Sequence, residues 1–384
     1  MATSADFLVH RKRSFSDLAR FLRHELAPHH GRTAIVARMV FACVVTMLLV
    51  MTFKLPYGFL AVFYALAIAR ENPHATVRNG FRIILANLAG TAVLLIGVIL
   101  FIDYPLSHFL FVTACFFLVF FVTRTSLNFS VAFGFSIMLI AGACLIWARP
   151  NPAESRLETT IGAAFGIILG TLLTVLSEWL LAPAANPHGG MERRALFVSD
   201  AFSNPEHLVF ALKGCLAGSL CYGIWTALAW PGLGECTITC VIVAPAIPGS
   251  SRRKLAIRIA GMLVGGLIFG VGSQVWILPL LDSITGFTLV FAALSAIAAW
   301  FTTASPRLSY FGRQVALAYY ITIFQGFGVR TPLAVIWSPQ MGILLGLLVM
   351  WLVFDVRWKA RTTTLLGATI STRIENIQSS ALRQ

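Results

Sequence analysis

Apolar stretches of about 20 residues follow one another along most of the chain, parted by short polar joints. That length lets an α-helix cross a ~30 Å hydrocarbon layer. Twelve stretches can be read, at about 35–53, 57–70, 81–102, 107–123, 129–148, 160–182, 208–229, 234–248, 255–281, 284–302, 311–328 and 333–354. The second and eighth are too short for a straight span. Their place in a repeated pattern, more than their hydropathy, predicts that they cross too.

The pattern runs once before residue ~185 and again after ~205. In each copy a long apolar segment meets proline, a short segment follows, and a basic cluster leads into a glycine-bearing helix. The first copy has Pro56-Tyr57-Gly58, a short span to Arg70, then Arg78 and Arg82 before Gly90. The second has Pro231-Gly232, a short span to Pro248, then Arg252-Arg253-Lys254 and Arg258 before Gly265-Gly266. An even number of spans per half makes the repeats parallel. The predicted fold class is therefore all-α integral membrane, with about twelve transmembrane helices as two parallel six-helix repeats. Residues 1–34 read as a cytoplasmic amphipathic segment, with Phe15, Leu18, Phe21, Leu22 and Leu26 on one face. The first repeat is placed at 35–182, a cytoplasmic linker at 183–207, the second repeat at 208–356 and a cytoplasmic tail at 357–384.

Composition agrees. The chain is 58% hydrophobic and 11% charged, whereas soluble domains carry about 25% charged residues. The net charge of +14 does not call for nucleic acid. With a cytoplasmic N-terminus, all Lys and Arg except Lys54, Arg149, Arg156 and Arg330 fall on cytoplasmic segments, which is the positive-inside bias. Both termini are thus expected in the cytoplasm, and membrane lipid is an expected partner. No cleaved signal is expected, because no apolar core precedes Ile35. The seven cysteines sit mostly in apolar segments and read as small buried hydrophobes, so no metal is expected. Walker A, GxSxG and HExxH motifs are missing from the sequence, so neither an enzyme nor a cofactor is expected.

Candidate chemistry concentrates near the short spans. Arg78, Arg82, Arg252 and Arg258 stand where the third and ninth spans begin, and their guanidinium forks suit a carboxylate. They read either as an anion-attracting vestibule or as anchors to phospholipid headgroups. Arg307, Tyr310, Arg313 and Gln314 cluster at the start of the eleventh span, with Tyr310, Arg313 and Gln314 on one face. That face could bind a carboxylate and stack an aromatic ring, or snorkel at the interface. The first half keeps only Arg124 and Asn128 there. Proton coupling asks for an ionisable group inside the membrane. Glu235, in the first turn of the eighth span, is that candidate, with helix capping as the alternative. Gly162, Gly166 and Gly170, echoed by Gly342 and Gly346, allow close backbone approach, either inside the chain or across a homodimer.

Several motifs together resemble fusaric acid resistance family transporters. They are Glu25-Leu26-Ala27-Pro28-His29-His30-Gly31-Arg32 with Arg38, Ala229-Trp230-Pro231-Gly232, Thr237-x-Thr239-Cys240, Arg258-Ile259-Ala260-Gly261, Ser305-Pro306-Arg307-x-Ser309-Tyr310-x-Gly312 and Gln325-Gly326-Phe327-Gly328. The resemblance covers about residues 22–358. It implies efflux of aromatic carboxylic acids or related amphipathic organic anions across a bacterial inner membrane, driven by the proton gradient. It also implies a periplasmic adaptor and an outer-membrane channel as partners. Longer members carry sizeable helical cytoplasmic regions after each membrane half, where this chain has a short link and a tail. Two other readings compete: a passive organic-anion channel, since plant malate channels resemble one such half, and a non-transporting scaffold. The Pro-broken short spans argue against the scaffold.

Overall fold

The computed structural model describes residues 25–27, 31–68, 73–148, 151–181, 197–243, 256–257, 259–324 and 333–355. Among these described residues the longer helical stretches are, in order, α1 (Arg32–Thr52), α2 (Gly58–Ala67), α3 (Pro73–Phe101), α4 (Pro105–Thr125), α5 (Phe129–Ile140, continued as a π-helix over Ala141–Ile146), α6 (Ala153–Leu181), α7 (Pro205–Leu228), α8 (Glu235–Val243, preceded by a 3-10 turn at Pro231–Gly234), α9 (Ile259–Leu280), α10 (Ile284–Thr302), α11 (Pro306–Ile323) and α12 (Leu333–Asp355). No strand occurs among the described residues beyond one isolated bridge, Ser126 to Phe197.

Seven of these, α1, α3, α4, α6, α7, α9 and α10, are long and apolar enough to cross a membrane. Their outer faces carry Ile99 at 77% exposure, Leu106 at 71% and Trp276 at 73%. Large aliphatic and aromatic groups at that density belong in lipid, not water. The helices often begin before the apolar windows do. α3 starts at Pro73 and α6 at Ala153, because hydropathy marks the lipid-immersed part and the backbone ladder continues past it.

Local chemistry sets the joints. Asn128, Asn204 and Ser283 cap α5, α7 and α10 by accepting from Val131, Glu206 and Gly286 N–H groups. Such caps satisfy donors that the first helical turn leaves open. Proline opens α4, α7 and α11, where its missing N–H costs nothing. Lys54 and Tyr57 adopt left-handed backbone (φ 50° and 53°) around the Pro56 turn, and Ala229 (φ 51°) ends α7 two residues before Pro231. Those turns feed the two short helices. α2 has 10 residues and α8 has 9, about 15 Å of rise each. Nearly every residue of both is buried.

The two short helices lie inside because small residues let their neighbours approach. A Cβ at Gly170 of α6 would stand 2.1 Å from the Ala61 carbonyl oxygen of α2, and one at Gly346 of α12 would stand 2.7 Å from that of Cys236 in α8. These glycines therefore serve contacts within the chain. Further pairings recur six helices apart. α3 packs on α5 and α6, and α9 on α11 and α12. α1 packs on α2 and α6, and α7 on α8 and α12. Across the halves α4 lies on α7 and α1 on α10, while α5 touches α8 and α11 touches α2.

Of the stretch read as linker, residues 197–204 are folded against the end of α4. Val198 N–H donates to the Thr125 carbonyl at 2.9 Å, and Ala201 is buried. The proposed N-terminal amphipathic face lies outside the described residues except for Leu26. Its carbonyl accepts from the Trp300 indole at 3.1 Å.

Candidate functional site

We call proximal the end of the bundle where α1, α3 and α11 begin, and distal the opposite end. At the proximal end three elements of the second half converge. Tyr310, in the second turn of α11, donates to the Ile242 carbonyl near the end of α8, at 3.5 Å. Gln314, one turn further, is buried, and a Cβ on Gly261 of α9 would come within 2.5 Å of the Gln314 Cβ. Tyr310 and Gln314 thus link α11 to α8 and α9. Arg313, expected on the same face, turns back on its own helix. Its Nε and Nη2 donate to the Ser309 carbonyl (3.4 Å) and hydroxyl (3.2 Å). The side chain of Arg307, and Arg252 and Arg258 altogether, lie outside the described residues.

In the first half, Arg82 of α3 is half-buried and Arg78 is exposed, on a stripe shared with Phe81 and Leu85. Asn128 donates from Nδ2 to Asn79 Oδ1 at 3.3 Å, tying the start of α5 to α3. Arg124 faces elsewhere, its guanidinium 5.6 Å from the centre of the Phe210 ring on α7. Glu235 opens α8 at the distal end and is 9% exposed. It packs on α12, where a Cβ at Gly342 would lie 3.0 Å from the Glu235 Cβ. Tyr310 and Glu235 therefore mark opposite ends of one short buried helix.

Sequence reasoning missed the most buried charges. Arg38 of α1 and Glu178 of α6 form an ion pair, Nε to Oε1 at 3.1 Å, with side chains 10% and 3% exposed. The signal was present: Arg38 falls inside the first apolar stretch, and Glu178 precedes the last turn of the sixth. Their pairing was not legible because adjacency of α1 and α6 is a tertiary fact. Arg32 was also missed. It is fully buried, donates to the Ala27 and Trp300 carbonyls and the Thr303 hydroxyl, and lies 4.3 Å over the Trp300 ring. A cation at the C-terminal end of α10 complements its helix dipole. Buried amides were passed over too. Asn87 donates to the Ala164 carbonyl at 3.1 Å, and Gln340 donates to the Thr322 hydroxyl at 3.0 Å. No group of three or more His, Cys, Asp or Glu suited to a metal occurs among the described residues.

A lipid-facing helical bundle holding an ion pair, buried amides and two short internal helices is a multi-pass α-helical membrane protein. Comparison with known proteins narrows the class. The chain is similar to the "Multidrug resistance protein MdtO" of Shigella flexneri and to that of Escherichia coli K12, 32% identical over 184 residues in each case. The match takes in 47% of this chain and 26% of each relative, so this chain covers about a quarter of the length of the relatives it matches. MdtO belongs to the fusaric acid resistance-type inner-membrane family, and the match agrees with the resemblance carried by the sequence motifs. No family model and no solved structure matches the chain.

Proposed function

We propose that this protein is a secondary-active exporter of the bacterial inner membrane, moving aromatic carboxylates or related amphipathic anions outward in exchange for protons. The observation that carries the reading is α8: a nine-residue helix, buried throughout, with Glu235 at one end and Tyr310 hydrogen-bonded to the other. Burying a carboxylic acid on an interrupted helix is costly, and membrane proteins keep such groups for transport. The similarity to proteins named for multidrug resistance supports efflux.

In this reading the twelve helices are two parallel repeats, supported by pairings that recur six helices apart. The proximal end is cytoplasmic, supported by the basic residues that gather there. Arg82, Tyr310 and Gln314, with Arg258, receive the anion, and Glu235 carries the proton. A periplasmic adaptor and an outer-membrane channel complete the route.

The test is uptake of radiolabelled 4-hydroxybenzoate into inverted membrane vesicles, with and without an imposed pH gradient. Accumulation against the concentration gradient, abolished by a protonophore, is the expected result. Flux that only dissipates the gradient and follows voltage would replace the exporter with an anion channel.

A further inference from the structure

The distal end contains a second polar cluster, formed by Arg156 of α6, Trp147 at the end of α5 and His108 of α4. Sequence reading set Arg156 aside as an exception to the charge bias. An arginine that only anchors a helix extends its fork to the headgroups. Arg156 does the reverse. Its Nη1 donates to the Trp147 carbonyl at 3.1 Å, and its guanidinium lies 5.1 Å from the centre of the Trp147 ring. The indole is held in turn, since Trp147 Nε1 donates to the Thr160 hydroxyl (2.9 Å) and Thr160 donates to the Arg156 carbonyl (2.8 Å). This closed ring of three bonds fixes an aromatic face beside a cation.

Three polar atoms of the cluster lack partners. Arg156 Nε is buried without a hydrogen-bond acceptor, and so are both ring nitrogens of His108, a residue 8% exposed. Among the described residues Arg156 has no carboxylate partner either, although Glu154 and Glu158 flank it in sequence. His108 lies within electrostatic reach of Arg156. A buried guanidinium Nε–H and a buried imidazole left without hydrogen-bond partners are costly, and a carboxylate is a group that can accept from both.

We propose that Arg156, His108 and Trp147 form a distal binding site for an aromatic carboxylate. Arg156 and His108 hold the carboxylate, and the ring stacks on Trp147. His108 and Trp147 are buried, whereas Arg156 keeps part of its surface exposed. The inference rests on the exporter reading above, to which it adds the place where the anion is held before release, at the same end as Glu235.

The test is a titration of the purified full-length protein in lipid nanodiscs with 4-hydroxybenzoate, read by calorimetry. We expect Arg156→Gln to weaken binding about tenfold or more and Arg156→Lys, which keeps charge but not the fork, by about threefold to fivefold. His108→Gln, which keeps one donor, costs about twofold to threefold. Trp147→Leu removes the preference for 4-hydroxybenzoate over cyclohexanecarboxylate. Wild-type affinity in both Arg156 variants overturns the site, and Arg156→Lys keeps that outcome readable if Arg156→Gln does not fold. An undetectable affinity in the wild type at millimolar ligand overturns it too. Vesicle uptake by the same wild type separates the two claims. Active uptake with unchanged affinity in the Arg156 variants removes only this site, whereas neither uptake nor binding removes the carboxylate exporter as well.

Discussion

The two halves share their packing and differ in their chemistry. In the first half, α2 (GFLAVFYALA) is wholly apolar apart from one tyrosine hydroxyl, and the charge lies beside it in the Arg38–Glu178 pair. In the second half, α8 (ECTITCVIV) carries the polar groups itself. Lys213 precedes Pro231 by the same spacing as Arg38 precedes Pro56, yet no ion pair is formed by Lys213 among the described residues. The partner helices differ as well: α3 is α-helical throughout, whereas α9 is wound as a π-helix over Met262–Val271 and Ser273–Ile277. Wider winding of this kind recurs at functional sites. In the second half, then, the polar groups lie on the short helix itself, and its neighbour α9 carries the wider winding.

The sharpest way to break this comparison is to unpair the first half. Glu178→Gln leaves Arg38 buried without its partner and should destabilise the protein by about 3–5 kcal/mol, seen as a lower midpoint of thermal unfolding in detergent. The double variant Arg38→Met with Glu178→Leu should recover most of that loss. If its loss instead equalled the summed losses of Arg38→Met and Glu178→Leu alone, the pair would have no special coupling. Next come the glycines under the short helices. Gly170→Val and Gly346→Val should each cost about 1–3 kcal/mol by forcing helices apart, with Gly170 the more severe because its neighbour is nearer. Wild-type stability in both variants would argue that the contacts yield freely.

Glu235→Gln sharpens the functional side. We expect at least a tenfold loss of pH-driven accumulation in vesicles, about 1.4 kcal/mol in rate terms, with the unfolding midpoint nearly unchanged. Full accumulation against a gradient would remove Glu235 from proton coupling. The smallest effects belong to Tyr310→Phe, at most about 1 kcal/mol for one long hydrogen bond, and to Lys213→Met, within about 0.5 kcal/mol. A large loss of stability with Lys213→Met would mean that the second half carries a charge pair after all.

Much of the helical order was readable beforehand because lipid imposes a simple rule: each backbone polar group must be satisfied within its own helix. Runs of apolar residues and the proline joints at Pro56 and Pro231 therefore announce where helices lie. Among the motifs that suggested the family, Ala229-Trp230-Pro231-Gly232 lies at the second joint, while Thr237-x-Thr239-Cys240 lies within α8. Boundaries were less legible, since α3 and α6 run on through His74, Arg78, Glu154 and Glu158, whose polarity hid the helix from hydropathy.

What composition and periodicity settled by themselves is the class: an all-helical chain, too apolar for water, built of spans and two short helices. Tertiary structure alone decided which polar residues meet. Tyr310 and Arg313 share a face by spacing, but Tyr310 reaches α8 while Arg313 folds back onto Ser309. Arg38 and Glu178 stand 140 residues apart and become partners, and Arg156 turns inward to Trp147. The reason is physical. Lipid is indifferent to which apolar side chains touch, so hydropathy carries no record of helix neighbours. That choice is made by close packing over glycine and by the need of each buried charge for a counterpart, and both depend on the whole bundle.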